Sequence, residues 1–89
     1  MNEITIDCAL IHSRTSFHEA FSLALSFPEW YGKNLDALHD CLTAVHEDTK
    51  LHLLHWDTLE ANLGPYAANA KKAILHAASA NPKFAVTFI

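Results

Sequence analysis

Residues 28–43 read PEWYGKNLDALHDCLT, and the fold turns on how this stretch divides. Pro28 and Gly32 are breakers, so FPEWYGKN over 27–34 reads as a loop. Asn34 is placed to cap a helix, its side-chain oxygen accepting from a backbone N–H that would otherwise lack a partner. Beyond it Leu35, Leu38, Leu42 and Val45 recur at helical spacing and predict a buried stripe. Asp36 and Asp40 stand four apart on another face, with no Lys or Arg beside them. Like charges at that spacing cost about 0.2–0.5 kcal/mol. The helix dipole favours Asp36 in the first turn but explains little of Asp40 beyond it. Thr43 and Glu47 continue the same row, and His39 flanks it. The helix is therefore expected to hold a ridge of acceptors toward solvent. In the loop just before it, Trp30 and Tyr31 are adjacent, and neighbouring aromatics in a loop rarely both reach the core. An exposed aromatic beside charged groups is typical of an interface anchor, and the expected partner-binding face comprises Trp30, Tyr31, Asn34, Asp36, His39, Asp40, Thr43 and Glu47.

Outward from this segment the chain alternates between short apolar runs and helical patterns. Ile4, Ile6 and Cys8 alternate with polar residues and predict a strand. Ser16 followed by Glu19 fits a capping box. Phe17, Ala20, Phe21, Ala24 and Leu25 then share a helical face, and Pro28 bounds that helix. After the Asn34 helix the polar cluster HEDTK marks a stop, and Leu51 to Trp56 reads as a buried strand. Asp57 or Thr58 is placed to cap a short helix closed by Gly64. Pro65 suits the first turn of the next helix, and the Ala-rich stretch from Tyr66 to Ala80 is a good helix former. Asn81 and Pro82 end it, and Phe84 to Ile89 predicts a last buried strand. The order β-α-α-β-α-α-β implies an α/β fold, a parallel sheet covered by helices.

A chain of 89 residues, 51% of them hydrophobic, predicts one domain, residues 1–89, with a modest core. No eighteen-residue apolar run predicts a membrane span, and MNEITIDCALIH does not read as a secretory signal. Cys8 and Cys41 are expected as reduced thiols in a cytoplasmic protein. The net charge of −4 argues against direct nucleic-acid binding, which needs Lys and Arg at the phosphates. Residues 29–48 hold Glu29, Asp36, Asp40, Glu47 and Asp48 against Lys33 alone, while acids and bases balance over the rest of the chain. One acidic segment on an otherwise neutral body points to a basic partner.

The run PEWYGKNLDALHDCLT resembles the signature segment of the barstar family, a Pro-Glu-aromatic-Tyr-Gly loop followed by Asn-Leu-Asp-Ala-Leu-x-Asp and Cys-Leu-Thr. The element order, the length and a Trp closing the second strand fit the same family along the whole chain. The resemblance implies a three-stranded parallel sheet packed by about four helices. It implies an immunity protein that inhibits a ribonuclease, with no catalysis of its own, binding its basic partner 1:1 as a monomer. It implies further that the second helix and the preceding loop enter the nuclease active site. Asp40 would supply the central carboxylate, Asp36 the one a turn earlier, Trp30 a loop aromatic, Asn34 a polar contact at the helix start and Thr43 one near its far end. The sequence departs from the family at His39, where a Trp is common, and at Ala44 and Val45, which replace a Gly and an aromatic. The type inhibitor offers a further carboxylate from the last long helix; here AILHAASANP has no acid, and His76 is its only ionisable group. These departures imply a different partner surface.

Three rival readings use the same residues. Seven histidines invite a metal site, but His52 and His55 fall on opposite faces of a predicted strand, His39 and Asp40 diverge on a helix, and there is no i, i+4 His pair or Cys-x-x-Cys. No metal and no cofactor is expected. A Cys-His hydrolase would need an activated thiol, whereas Cys41 lies beside the Leu38–Leu42 stripe as a packed small residue. The third is a regulatory binding module that uses the barstar scaffold on a non-nuclease protein.

Overall fold

Two helices separate each strand from the next, so neighbouring strands are joined by crossovers rather than hairpins and pair in parallel. The computed structural model describes residues 2–89. It runs β1 (Asn2–Asp7), a 3-10 turn (Cys8–Leu10), α1 (Arg14–Leu25), α2 (Leu35–Thr43), β2 (Thr49–Leu54), α3 (Trp56–Leu63), α4 (Pro65–Ala80) and β3 (Phe84–Phe88). The strand order is β1-β2-β3, with Leu51 of β2 opposite Ile4 on one side and Val86 on the other. The expected three-stranded α/β architecture with four helices is the one observed.

Helices cover one face of the sheet. Thr49, Leu51 and Leu53 are buried, whereas Lys50, His52 and Leu54 between them are half-buried. Glu3 and Thr5 beside them on β1 are exposed. On the covered face Phe17 and Phe21 of α1, Leu38 and Leu42 of α2, Leu59 of α3 and Ile74 of α4 are fully buried. A buried Leu or Phe contributes roughly 1.5–3 kcal/mol, so these side chains hold the helices on the sheet. α4 packs on α2. It buries Ala67, Ala70, Ile74 and Ala77, a mostly small-residue stripe that lets two helices approach closely.

Several boundaries differ from the expected ones, each for a local reason. α1 begins one turn before Ser16. Ser13 is the cap, and Ser16 serves as the third helical residue, the two exchanging backbone-to-hydroxyl bonds of 3.0 Å. The helix ends before Pro28 because Ser26 turns left-handed, at φ 55°. Cys8 lies beyond β1, its chain tightened into the 3-10 turn by the Asp7 carboxylate accepting from Ala9 N–H at 3.0 Å. Trp56 belongs to α3 rather than the strand: His55 adopts φ 57° and breaks the ladder. His55 takes the cap position without a side-chain capping bond, its ring lying instead 3.0 Å from Asp7 Oδ1, so neither Asp57 nor Thr58 caps α3. Gly64, at φ 60°, links α3 to α4, and Pro65 opens α4 as expected.

Candidate functional site

The loop between α1 and α2 separates its two aromatics. Phe27 N–H donates to Ser22 carbonyl at 3.0 Å and Tyr31 N–H to Pro28 carbonyl at 3.0 Å, which folds the loop back on itself. Tyr31 turns inward and Trp30 outward, 6% and 83% exposed. The expectation that Tyr31 lies on the binding surface is therefore corrected: its ring packs on Phe27, centroids 4.9 Å apart, and its hydroxyl lies 2.6 Å from His18 Nδ1. The other ring nitrogen, Nε2, is 2.6 Å from the Tyr66 hydroxyl. In the neutral imidazole one of these ring nitrogens accepts from a tyrosine hydroxyl and the other donates to one. Protonating His18 would make both ring nitrogens donors and take away the acceptor. Burial, and secondarily the charge of Lys33, accordingly hold His18 below the usual histidine value of 6.5.

The start of α2 is fixed by the same loop. Asn34 accepts from Ala37 N–H at 2.8 Å through Oδ1, as predicted, and donates through Nδ2 to Gly32 carbonyl at 3.2 Å. The left-handed residue here is Lys33, at φ 51°. Gly32 serves a different need: a Cβ on it would come within 3.2 Å of Asn34 Nδ2. The far end of α2 is held from β3's side. Asn81, read in the sequence only as a helix stop, reaches the carbonyls of Leu42, Thr43 and Val45 at 3.0, 3.3 and 2.9 Å. A buried amide meeting carbonyls left free at a helix end leaves no composition signal in the sequence.

Between these anchors α2 buries Leu38 and Leu42 and turns Asp36 and Asp40 outward. The Asp40 side chain is 85% exposed. Glu47 follows in the loop to β2, also exposed and 3.3 Å from Asn2 Nδ2. The Thr43 hydroxyl donates back to the His39 and Asp40 carbonyls, 3.0 Å from each, and its lone pairs remain able to accept. His39, half-buried, is tied across the helix pair: its Nε2 lies 2.7 Å from His76 Nδ1 on α4. Trp30 and Asp40 also border an apolar groove floored by Ile4, Leu25, Phe27 and Val45. Cys41 lines this groove, its thiol pKa raised by burial and by Asp40. The Cys8 thiol is pushed up to about 11 by burial and by Asp7. Both cysteines are free thiols held protonated at neutral pH. Among the described residues no three His, Cys, Asp or Glu side chains gather to hold a metal ion. No helix among them is long and apolar enough to cross a membrane.

The family model described as Barstar (barnase inhibitor) matches residues 1–88. The chain belongs to the barstar family. A Bacillus subtilis (strain 168) protein named "Putative ribonuclease inhibitor YrdF" is 36% identical over 78 residues, 86% of this chain and 86% of its own length. Barstar family members are inhibitors rather than enzymes. The parallel three-stranded sheet and its helices are as the family resemblance implied, apart from the shift of Trp56 onto α3.

Proposed function

We propose that this protein inhibits a basic ribonuclease by inserting α2 and the preceding loop into the enzyme's active site. The observation that carries the reading is the carboxylate ridge of α2, with Asp40 exposed at its centre and Trp30 exposed beside it. A ribonuclease binds phosphate with Arg, Lys and protonated His. Carboxylates on a preformed helix meet the same groups through charge-assisted hydrogen bonds, bidentate where Arg takes part. The helix is capped at both ends before binding, so little ordering entropy is lost on association. Trp30, Asn34, Asp36, His39, Asp40, Thr43 and Glu47 form the proposed contact face, and Tyr31 supports it from behind. The complex is 1:1, and the protein acts as an immunity protein in the cytoplasm, where its two thiols stay reduced.

A mixture of this protein with a microbial barnase-class ribonuclease tests the face directly. Gel filtration should give a 1:1 complex, and amide signals should shift chiefly over residues 30–47. Complex formation with shifts confined to another surface would contradict the assignment of α2.

A further inference from the structure

Two of the few bases in this acidic chain meet away from the carboxylate ridge. Arg14 and Lys33 line one small cavity of about 270 Å3 together with Thr15, His18, Asn34 and Tyr66. No carboxylate lines it, and among the described residues neither cation makes an ion pair. Lys33 is the single base of the acidic segment 29–48, yet it borders this cavity instead of pairing with the ridge, and its charge is felt by His18. The Arg14 guanidinium stacks on the Tyr66 ring, 4.5 Å from its centroid, which holds the planar fork in place. Two cations facing one cavity repel each other, and an anion between them relieves the repulsion. The walls add to the same field. Arg14 and Thr15 open α1, Asn34 caps α2 and Tyr66 is the second residue of α4, so the positive ends of three helix dipoles meet here. α1 and α4 hold no acid in their first turns, and Asp36 of α2 is exposed outside the cavity.

We propose that this cavity is a binding site for a phosphate group, held by Arg14 and Lys33 with the Thr15 hydroxyl as a further donor. The charges match, since two cations meet a dianion. The guanidinium fork takes two phosphate oxygens at once, and the Lys33 ammonium serves as a point charge for a third. The small volume admits the phosphate group itself, on inorganic phosphate or at the end of a phosphate monoester. The site is separate from the carboxylate ridge of α2 and does not depend on the ribonuclease-inhibitor reading.

Amide spectra of the free protein test it, titrated with sodium phosphate at pH 7.5 against sodium chloride at equal ionic strength. Phosphate should give saturable shifts centred on Thr15, Leu35 and Tyr66, with a Kd on the order of 1 mM for two charge-assisted contacts in an open cavity. Arg14 and Lys33 are both exposed, so Arg14→Gln and Lys33→Gln keep the core intact, as the same spectra report. Each should weaken phosphate binding about tenfold, as for one lost bond to a charged group. Lys72→Gln removes the same charge from an exposed position of α4 outside the cavity and should leave the affinity unchanged. Adenosine monophosphate separates the two sources. An affinity no higher than that of phosphate assigns the free ion, and a higher one assigns a monoester. Shifts that rise without saturation, shifts that chloride reproduces, unchanged affinity in Arg14→Gln and Lys33→Gln, or an equal loss in all three variants would overturn the site.

Discussion

Asp40 and Asp36 sit one turn apart on the same ridge but in different electrostatic settings. Asp36 lies in the first turn of α2, where the positive end of the helix already offsets its charge. Asp40 lies past that turn, bordered by His39 and by the groove under Trp30. Asp40→Ala should therefore weaken binding by about 1.5–3 kcal/mol, as for a lost hydrogen bond to a charged group, and Asp36→Ala by less. Calorimetric titration of each variant against the ribonuclease checks the order; equal losses would remove Asp40 from the centre of the face. His18 gives a prediction on stability. Its folded value lies below the unfolded 6.5, so below that pH the unfolded chain binds more protons than the folded one. Its contribution is complete above pH 6.5 and is lost as the pH falls toward the folded value. Urea melts at pH 7.5 and 5 should show a smaller drop for His18→Gln than for the wild type; parallel drops would exclude His18 as a source. At this scale the sequence was read unevenly. Asn34 as a cap and the exposure of one of the two adjacent aromatics were legible because caps and neighbouring aromatics follow local rules; that Tyr31 is the one turned inward was not. The Tyr31–His18–Tyr66 network joins three separate elements, and the His39–His76 bond joins two. No local pattern encodes either.

α2 is held by its buried stripe and by side chains at both ends. Leu38 is fully buried, so Leu38→Ala should cost about 2–5 kcal/mol, read as a lower denaturation midpoint. An unchanged midpoint would mean that the helix presents a different face to the core. Asn81→Ala leaves the carbonyls of Leu42, Thr43 and Val45 without their shared donor. A loss of about 1–3 kcal/mol is expected, with faster amide exchange at the C-terminal end of α2. Unaltered exchange there would show that Asn81 does not fasten the helix. The four α-helices and three strands were all expected, β1, α1 and α2 from hydrophobic spacing and α3 and α4 from caps, Gly64, Pro65 and alanine content, whereas the 3-10 turn at Cys8–Leu10 was not. The ends of α1 and of β2 moved where a residue other than glycine turned left-handed, at Ser26 and His55, whereas the start of α1 and the end of β1 were set by side chains, Ser13 with Ser16 and Asp7. No side-chain preference marks Ser26 or His55 in advance, whereas Gly64 and Pro65 mark their positions.

Parallel topology was legible because paired helices between strands leave few other choices. The one-sided covering of the sheet was not, because the half-buried Leu54 extends the apolar run of β2 beyond a clean alternation. For the whole molecule the charge distribution matters most. The net charge of −4 lies within residues 29–48, on and around the presenting helix. Long-range attraction to a basic enzyme should speed association at low salt, and screening should slow it as ionic strength rises. Stopped-flow rates that stay flat between low and high salt would rule out steering. The most direct test of the account is an RNA-cleavage assay in which a barnase-class ribonuclease, or a toxin encoded beside this protein, is titrated with the wild type and with Asp40→Ala. The account predicts that the wild type abolishes cleavage at one equivalent and that the variant needs a large excess. Full cleavage in the presence of excess folded wild-type protein, or equal inhibition by both proteins, would contradict it.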